Sequence, residues 1–291
     1  MGVVAAILGA LTSSAKDLVS KSVAGQVQPD LSTFASFLFA LPFYAAIYIV
    51  LALYGEEQRD CSSTFLMLVL LRGLSDVVAE GCKMRALEKG DVSLVSSLLS
   101  LSPLVLVIVS PVVTGDPVHR HELFGLLLMV LGSLVMVRRD KQSGRIDQKS
   151  AVIYAVVGSV AFAMNSALDR LAVSHAGPIA SAFSVTLCAC ILTAPVLLRV
   201  PRAAAQLGAY HRPFFVRGLF ETVFMVAKMA ALVALPAHVV VGLMRISLLL
   251  TVLFGGAIFR EEHRLRRFIG AALMYAGLVV LLYPLAYFAG N

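Results

Sequence analysis

The chain has 291 residues, of which 59% are hydrophobic and only 14% charged, with a formal net charge of +7 and a mean hydropathy of +0.89. A soluble domain of this size needs far more polar surface, so the composition excludes one and leaves a polytopic membrane protein. The basic excess sits mostly in loops, where membrane orientation and anionic headgroups explain it, so the lipid bilayer is the expected partner and nucleic acid is not.

Apolar runs of about twenty residues, separated by short polar breaks, predict ten membrane spans. The first, near 3–23, lacks a basic leader and has a counterpart in the second half, so it reads as a span and not as a signal sequence. It ends near Asp17. The second is expected near 32–54 and the third near 64–87. The third carries Arg72, Asp76, Glu80 and Lys83 at i, i+4, i+8 and i+11, one narrow stripe on a helix. The fourth, near 92–113, opens on a serine-rich stretch that includes Ser97 and Ser100, and the fifth, near 121–138, holds Gly125 and Gly132. The hydrophilic stretch from Arg138 to Lys149 then divides the spans into two sets of five. The sixth, near 151–173, ends around Asp169, and the seventh, near 178–199, carries Cys188 and Cys190 as small apolar residues. The eighth, near 213–235, holds Arg217, Glu221 and Lys228. Arg245 lies within the ninth, near 237–259, and Gly270 and Gly277 lie on the tenth, near 265–287.

The two sets repeat one another. RGLSDVVAEGCKMRAL (72–87) and RGLFETVFMVAKMAAL (217–232) lie 145 residues apart and are identical at 8 of 16 positions. DLVSKSVAG (17–25) answers DRLAVSHAG (169–177), and GLLLMVLGSLVMV (125–137) answers GAALMYAGLVVLL (270–282). Five spans is an odd number, so the second copy enters the membrane from the opposite side, and a binding site is expected at the midplane between the halves. The fold class is therefore an all-α polytopic membrane protein with ten transmembrane helices. They form two inverted five-helix repeats, at 1–140 and 150–288, around a central cavity.

In its five-plus-five helices, its short third-to-fourth and eighth-to-ninth links and the paired glycines on its fifth and tenth spans, the chain resembles the drug/metabolite transporter superfamily in its EamA-type ten-helix form. The resemblance covers essentially the whole chain. It implies a basket of helices around a central cavity, with the fifth and tenth helices at the periphery. It also implies a solute drawn from a wide range: amino acids, sugars, nucleotide sugars, phosphorylated metabolites, amines or lipid-linked compounds. The charged third and eighth spans depart from the common pattern.

The charges supply the candidate site residues. Arg72 with Asp76 and Arg217 with Glu221 are one turn apart, so each pair can neutralise itself within its own helix. Lys83 and Lys228 match across the repeat, and Lys228 has no acid within a turn. Glu80 answers Met225 and is an asymmetric addition, expected to neutralise Lys83 or to carry a proton. Arg245, whose repeat counterpart is Ser100, has no acid within its span and needs a partner from another helix, such as Glu221, or from an anionic ligand. Asp17 and Asp169 are also proton-coupling candidates. Their positions near helix ends equally fit interfacial acids, and the resemblance connects an acid on the first helix to the coupling carboxylate of small multidrug resistance proteins. Gly125, Gly132, Gly270 and Gly277 are expected to serve close helix packing, with a homodimer through the fifth and tenth helices as a candidate assembly.

No phosphate loop, metal-ligand set or nucleophile–base constellation is present in the sequence, so no cofactor, metal or enzymatic activity is expected. The leading expectation is a secondary transporter that moves a small polar metabolite bearing an anionic group by alternating access. The alternatives are a proton-coupled exporter of cationic or amphiphilic compounds and a non-transporting scaffold or flippase subunit. Loops 138–149, 199–212 and 260–267 carry 12 Lys plus Arg, against Arg59 and Arg120 on the other face. By the positive-inside rule the termini of this integral membrane protein, expected in a cell (inner) membrane, are non-cytoplasmic, against the usual orientation that the resemblance implies.

Overall fold

The computed structural model describes residues 1–23, 26–54, 62–89, 95, 98–136, 148–247 and 264–289, so the candidate Ser97 lies outside the described residues. Its helices are α1 (Gly2–Val23), α2 (Pro29–Leu38), α3 (Leu41–Tyr54), α4 (Ser63–Lys89), α5 (Ser102–Val113), α6 (Arg120–Met136), α7 (Gln148–Ala176), α8 (Pro178–Thr193), α9 (Val196–Arg199), α10 (Ala203–Ala209), α11 (His211–Ala234), α12 (Ala237–Met244) and α13 (Arg264–Ala289). Among the described residues every helical or strand-length element is a helix, as a chain in lipid requires, because a helix satisfies its backbone polar groups internally.

The segments 29–51, 149–176 and 178–199 are long and apolar enough to cross a bilayer by composition alone. Helices α4 (27 residues) and α11 (24 residues) also have the length, but their charged stripe makes them more polar. The second span is broken between α2 and α3. The carbonyls around Phe39 and Ala40 that the break exposes meet Gly218, whose missing side chain admits the Phe39 carbonyl, and Thr222, whose hydroxyl donates to the Ala40 carbonyl at 3.4 Å.

The most extensive helix pairings are α6 with α13, α4 with α7 and α1 with α11, which are the fifth span with the tenth, the third with the sixth and the first with the eighth. Exchanging the two repeats turns the last two of these pairings into each other and leaves the first unchanged, as a twofold axis between the halves requires. The direction of the chain agrees. A Cβ on Gly125 would lie 2.8 Å from the carbonyl of Gly277, and one on Gly132 would lie 2.6 Å from that of Gly270. Ascending positions on α6 thus meet descending positions on α13, and this matched pair of helices runs antiparallel. An inverted repeat requires this of its fifth and tenth spans. The four glycines pack on one another within the chain, so a homodimer through these helices would have to use their outer faces, where Phe124, Leu131, Tyr275 and Tyr283 are exposed.

One face of the protein gathers the start of α1, the ends of α7 and α11, and the turn before α6. There Arg170 donates to the carbonyls of Leu232 and Val233 and approaches Asp116 at 3.5 Å. The opposite face is closed by an apolar cluster that includes Val23, Val27, Leu31, Val200, Ala203 and Phe214.

Candidate functional site

Two layers of buried charge lie between those faces, each about 10–15 Å inward along its helices at 1.5 Å per residue. Nearer the face that carries the N-terminus, Arg72 on α4 donates from Nε to Asp169 Oδ1 at 2.6 Å and reaches Asp76 Oδ2 at 3.0 Å. Lys228 on α11 binds the other oxygen of Asp169 at 2.8 Å, and Asn165 on α7 donates to Asp76 at 2.9 Å. Asp169 is wholly buried. This layer joins the third, sixth and eighth spans, with the two carboxylates shared between two cations.

The second layer joins α1, α4 and α11. Lys16 meets Glu221 at 2.9 Å, with its ammonium over the Phe224 ring at 4.2 Å. Lys83 lies 3.4 Å from Asp17 and 3.6 Å from Glu80. Arg217 donates to the Ser20 hydroxyl at 2.8 Å and approaches Glu80 at 3.8 Å. Both terminal nitrogens of Arg217 and one oxygen of Glu80 have no hydrogen-bond partner. The layers are thus related but not equal: Lys228 to Asp169 repeats as Lys83 to Asp17, while the tight Arg72 pairing has no equally tight counterpart at Arg217.

These contacts correct three expectations and give Lys228 a partner on another helix. Arg72 and Asp76 do pair within their helix, but Arg217 and Glu221 do not, because Lys16, where the second copy has Leu168, draws Glu221 towards α1. Lys228 is paired, by an acid 59 residues away. Asp169 is central and not interfacial, and Arg245 does not meet Glu221.

Arg245 follows the last residue of α12, about 12 Å along that short helix, where the ninth span is interrupted by a turn. The fourth span is interrupted at the matched place, Ser100–Leu101, before α5 begins. The guanidinium bridges the two breaks. Its Nη2 donates to the Leu99 carbonyl at 3.1 Å and to the Ser102 hydroxyl, while its Nε has no partner. No carboxylate among the described residues lies within 4.0 Å of it. Ser100 hydrogen-bonds Ser133 on α6 at 2.6 Å, so its hydroxyl serves helix packing there. Two spans, each interrupted by a short turn, meet here at a lone cation, an arrangement like that in which membrane carriers hold a solute.

Residues 1–138 and 149–283 match the EamA-like transporter family. The chain belongs to that family. It is a membrane transporter of the drug/metabolite transporter superfamily, and members of the family are transporters and not enzymes. A solved crystal structure, described only as that of a protein, is similar to it at TM-score 0.76 and 15% identity, over 97% of this chain and 96% of that one; at that identity the likeness concerns the fold alone. No curated protein matches the sequence.

Within this EamA-like transporter, Lys16, Ser20 and Asn165 are site members that sequence reasoning passed over, while Ser102 belongs to the serine-rich stretch that the sequence sets opposite Arg245. Asn165 had a signal, since it precedes Asp169 by one turn on the same face. Lys16 has no charged counterpart in the second copy, where Leu168 stands, so the repeat gives it no mark. His238 stands beside the short LPAH break, where the sequence predicts a loop edge. It is wholly buried and lies 3.1 Å from Glu122, which also accepts the His119 backbone N–H at 2.7 Å, so that Glu122 caps α6 and ties it to α12 of the other repeat.

Proposed function

We propose that this protein is a secondary active transporter that moves a small polar metabolite bearing an anionic group, by alternating access. The observation that carries this is Arg245: a cation at mid-depth, at the junction of two interrupted helices, bound only by a neutral hydroxyl and a carbonyl. A charge in that position is costly in lipid, and a carboxylate or phosphate fits the guanidinium fork. Substrate would bind there, with Lys228, Lys83, Arg72, Arg217, Asp76, Glu80 and Glu221 forming the two charge layers of the same site. The two layers, one towards each face and joining helix sets that the repeat relates to each other, support a reading in which they are gates that open in turn. Glu80 is the proton-coupling residue favoured by geometry, because it is held loosely at 3.6 and 3.8 Å, whereas Asp169 is committed to two cations at 2.6 and 2.8 Å.

A thermal-stability screen of purified protein against carboxylates, phosphorylated metabolites, amino acids, nucleotide sugars and cationic dyes should identify a stabilising anion, because a ligand of the folded state raises its stability. In vesicles, Arg245→Ala should then lower transport of that solute at least tenfold while the protein remains folded. Unchanged uptake removes Arg245 from the site, and stabilisation by cationic dyes alone favours the exporter of cationic compounds. The loop charges, 12 basic residues against 2, place the termini outside the cytoplasm in this reading. A C-terminal reporter active only in the cytoplasm tests that, and activity refutes it.

A further inference from the structure

The charge inventory of the two layers closes. Lys16, Arg72, Lys83, Arg217 and Lys228 are five cations, and Asp17, Asp76, Glu80, Asp169 and Glu221 are five carboxylates; each lies within 4.0 Å of a group of opposite sign. One further cation, Arg245, has no carboxylate within 4.0 Å among the described residues; its contacts are the Leu99 carbonyl and the Ser102 hydroxyl. Resting on the proposed anion site, we infer that the site takes a solute carrying one negative charge and rejects dianions such as phosphate monoesters and dicarboxylates.

The helix ends do not alter that count. The start of α5, beside Ser102, presents the positive end of a helix dipole, and the end of α12 at Met244 presents the negative end of another. Each is worth about half an elementary charge, so their contributions offset. The Leu99 carbonyl already faces the guanidinium and opposes additional negative charge near it. A monoanion therefore leaves the region neutral. A dianion leaves one charge unmatched at mid-depth, and by the scale for a charge at the centre of a span this costs about two orders of magnitude in affinity. The nearest remedy would be to draw Arg217, whose terminal nitrogens are unpartnered, away from Glu80. That move would leave Glu80 with Lys83 alone and transfer the deficit without removing it.

The test uses the full chain in detergent and matched probes at equal ionic strength: acetate against malonate, glycerate against glycerol phosphate, nitrate against sulfate. The readout is the part of each thermal shift that disappears in Arg245→Gln, which removes general salt effects, with Arg245→Lys as the variant that keeps the charge. Monoanions should act at concentrations about a hundredfold lower than their dianionic counterparts, and Ser102→Lys, which adds a second cation beside the first, should narrow or invert that ratio. If Ser102→Lys does not fold, the wild-type ratios alone decide. An Arg245-dependent shift from a dianion as large as from its monoanion overturns the single-charge rule and leaves the anion site standing. If no probe gives an Arg245-dependent shift, the anion site itself falls, and this inference with it.

Discussion

Asp169 and Asp17 occupy matched places in the two repeats, yet the structure gives them opposite weights. The Asp169 side chain is fully buried between Arg72 Nε at 2.6 Å and Lys228 Nζ at 2.8 Å, while that of Asp17 is 43% exposed and holds Lys83 at 3.4 Å. Asp169→Asn preserves the shape and removes the charge, leaving Arg72 and Lys228 with only Asp76 for compensation. The direct attraction lost at 2.8 Å is about 6 kcal/mol at an effective dielectric of about 20. Desolvation has already offset part of it, so the net loss of stability is expected at about 3–5 kcal/mol, the range for stranding one member of a buried pair. Asp17→Asn should cost less than about 1 kcal/mol, because water screens that site. In Asp169→Asn with Lys228→Gln one charge of each sign is gone and the layer is neutral again, so the double variant should lose less than the two single changes combined, by about 1–3 kcal/mol. Denaturant unfolding of the purified protein in detergent measures all four. Equal losses for the two aspartates, or strict additivity in the double variant, would refute the claim that burial and charge balance govern this layer.

At the seam between α6 and α13, a methyl group on Gly132 would come within 2.6 Å of the Gly270 carbonyl, so Gly132→Ala should lower stability by about 1–3 kcal/mol through overpacking. Gly208→Ala, where nothing lies within 4 Å, should be neutral or slightly stabilising; thermal midpoints of the two compared side by side check this, and a harmless Gly132→Ala contradicts it. His238→Leu should cost about 1–3 kcal/mol, because it removes a hydrogen bond that joins the repeats and leaves Glu122 with His119 as its remaining partner. Glu122→Gln should cost less, since the amide still accepts from the His119 backbone, and the reverse order would show that the joint to α12 matters less than the cap on α6.

The fold was legible in the sequence because its signals are local or repeated. Apolar runs mark the spans, and a 145-residue offset marks the duplication. Even the glycine seam could be read, from small residues seven apart in both copies. The site was legible only in its membership. Arg72 with Asp76 is a one-turn pair and was found, but Lys228 with Asp169 and Arg72 with Asp169 cross 59 and 97 residues. Which acid reaches which cation depends on the register of one helix against another, and spacing within a single helix does not contain that. Lys16 shows the difficulty most sharply: a residue with no charged counterpart in the other copy dissolves the Arg217–Glu221 pair that symmetry predicts. The break at Arg245 has no local mark either, whereas its counterpart in the fourth span is followed by Pro103, a proline at the start of a helix.

The contact between α6 and α13 also bears on how the two halves came to be one molecule. Its surfaces meet backbone to backbone, between helices inserted in opposite senses, and each half supplies the same two glycines. Recognition of that kind needs no covalent bond between the partners. Two polypeptides severed within the hydrophilic stretch from Arg138 to Lys149 and made together in one cell are therefore expected to reassemble, which co-purification of the halves tests. The joined gene then contributes what the seam alone does not: a fixed ratio of the halves, and freedom for positions such as Lys16, Glu80 and Arg245 to differ from their mates.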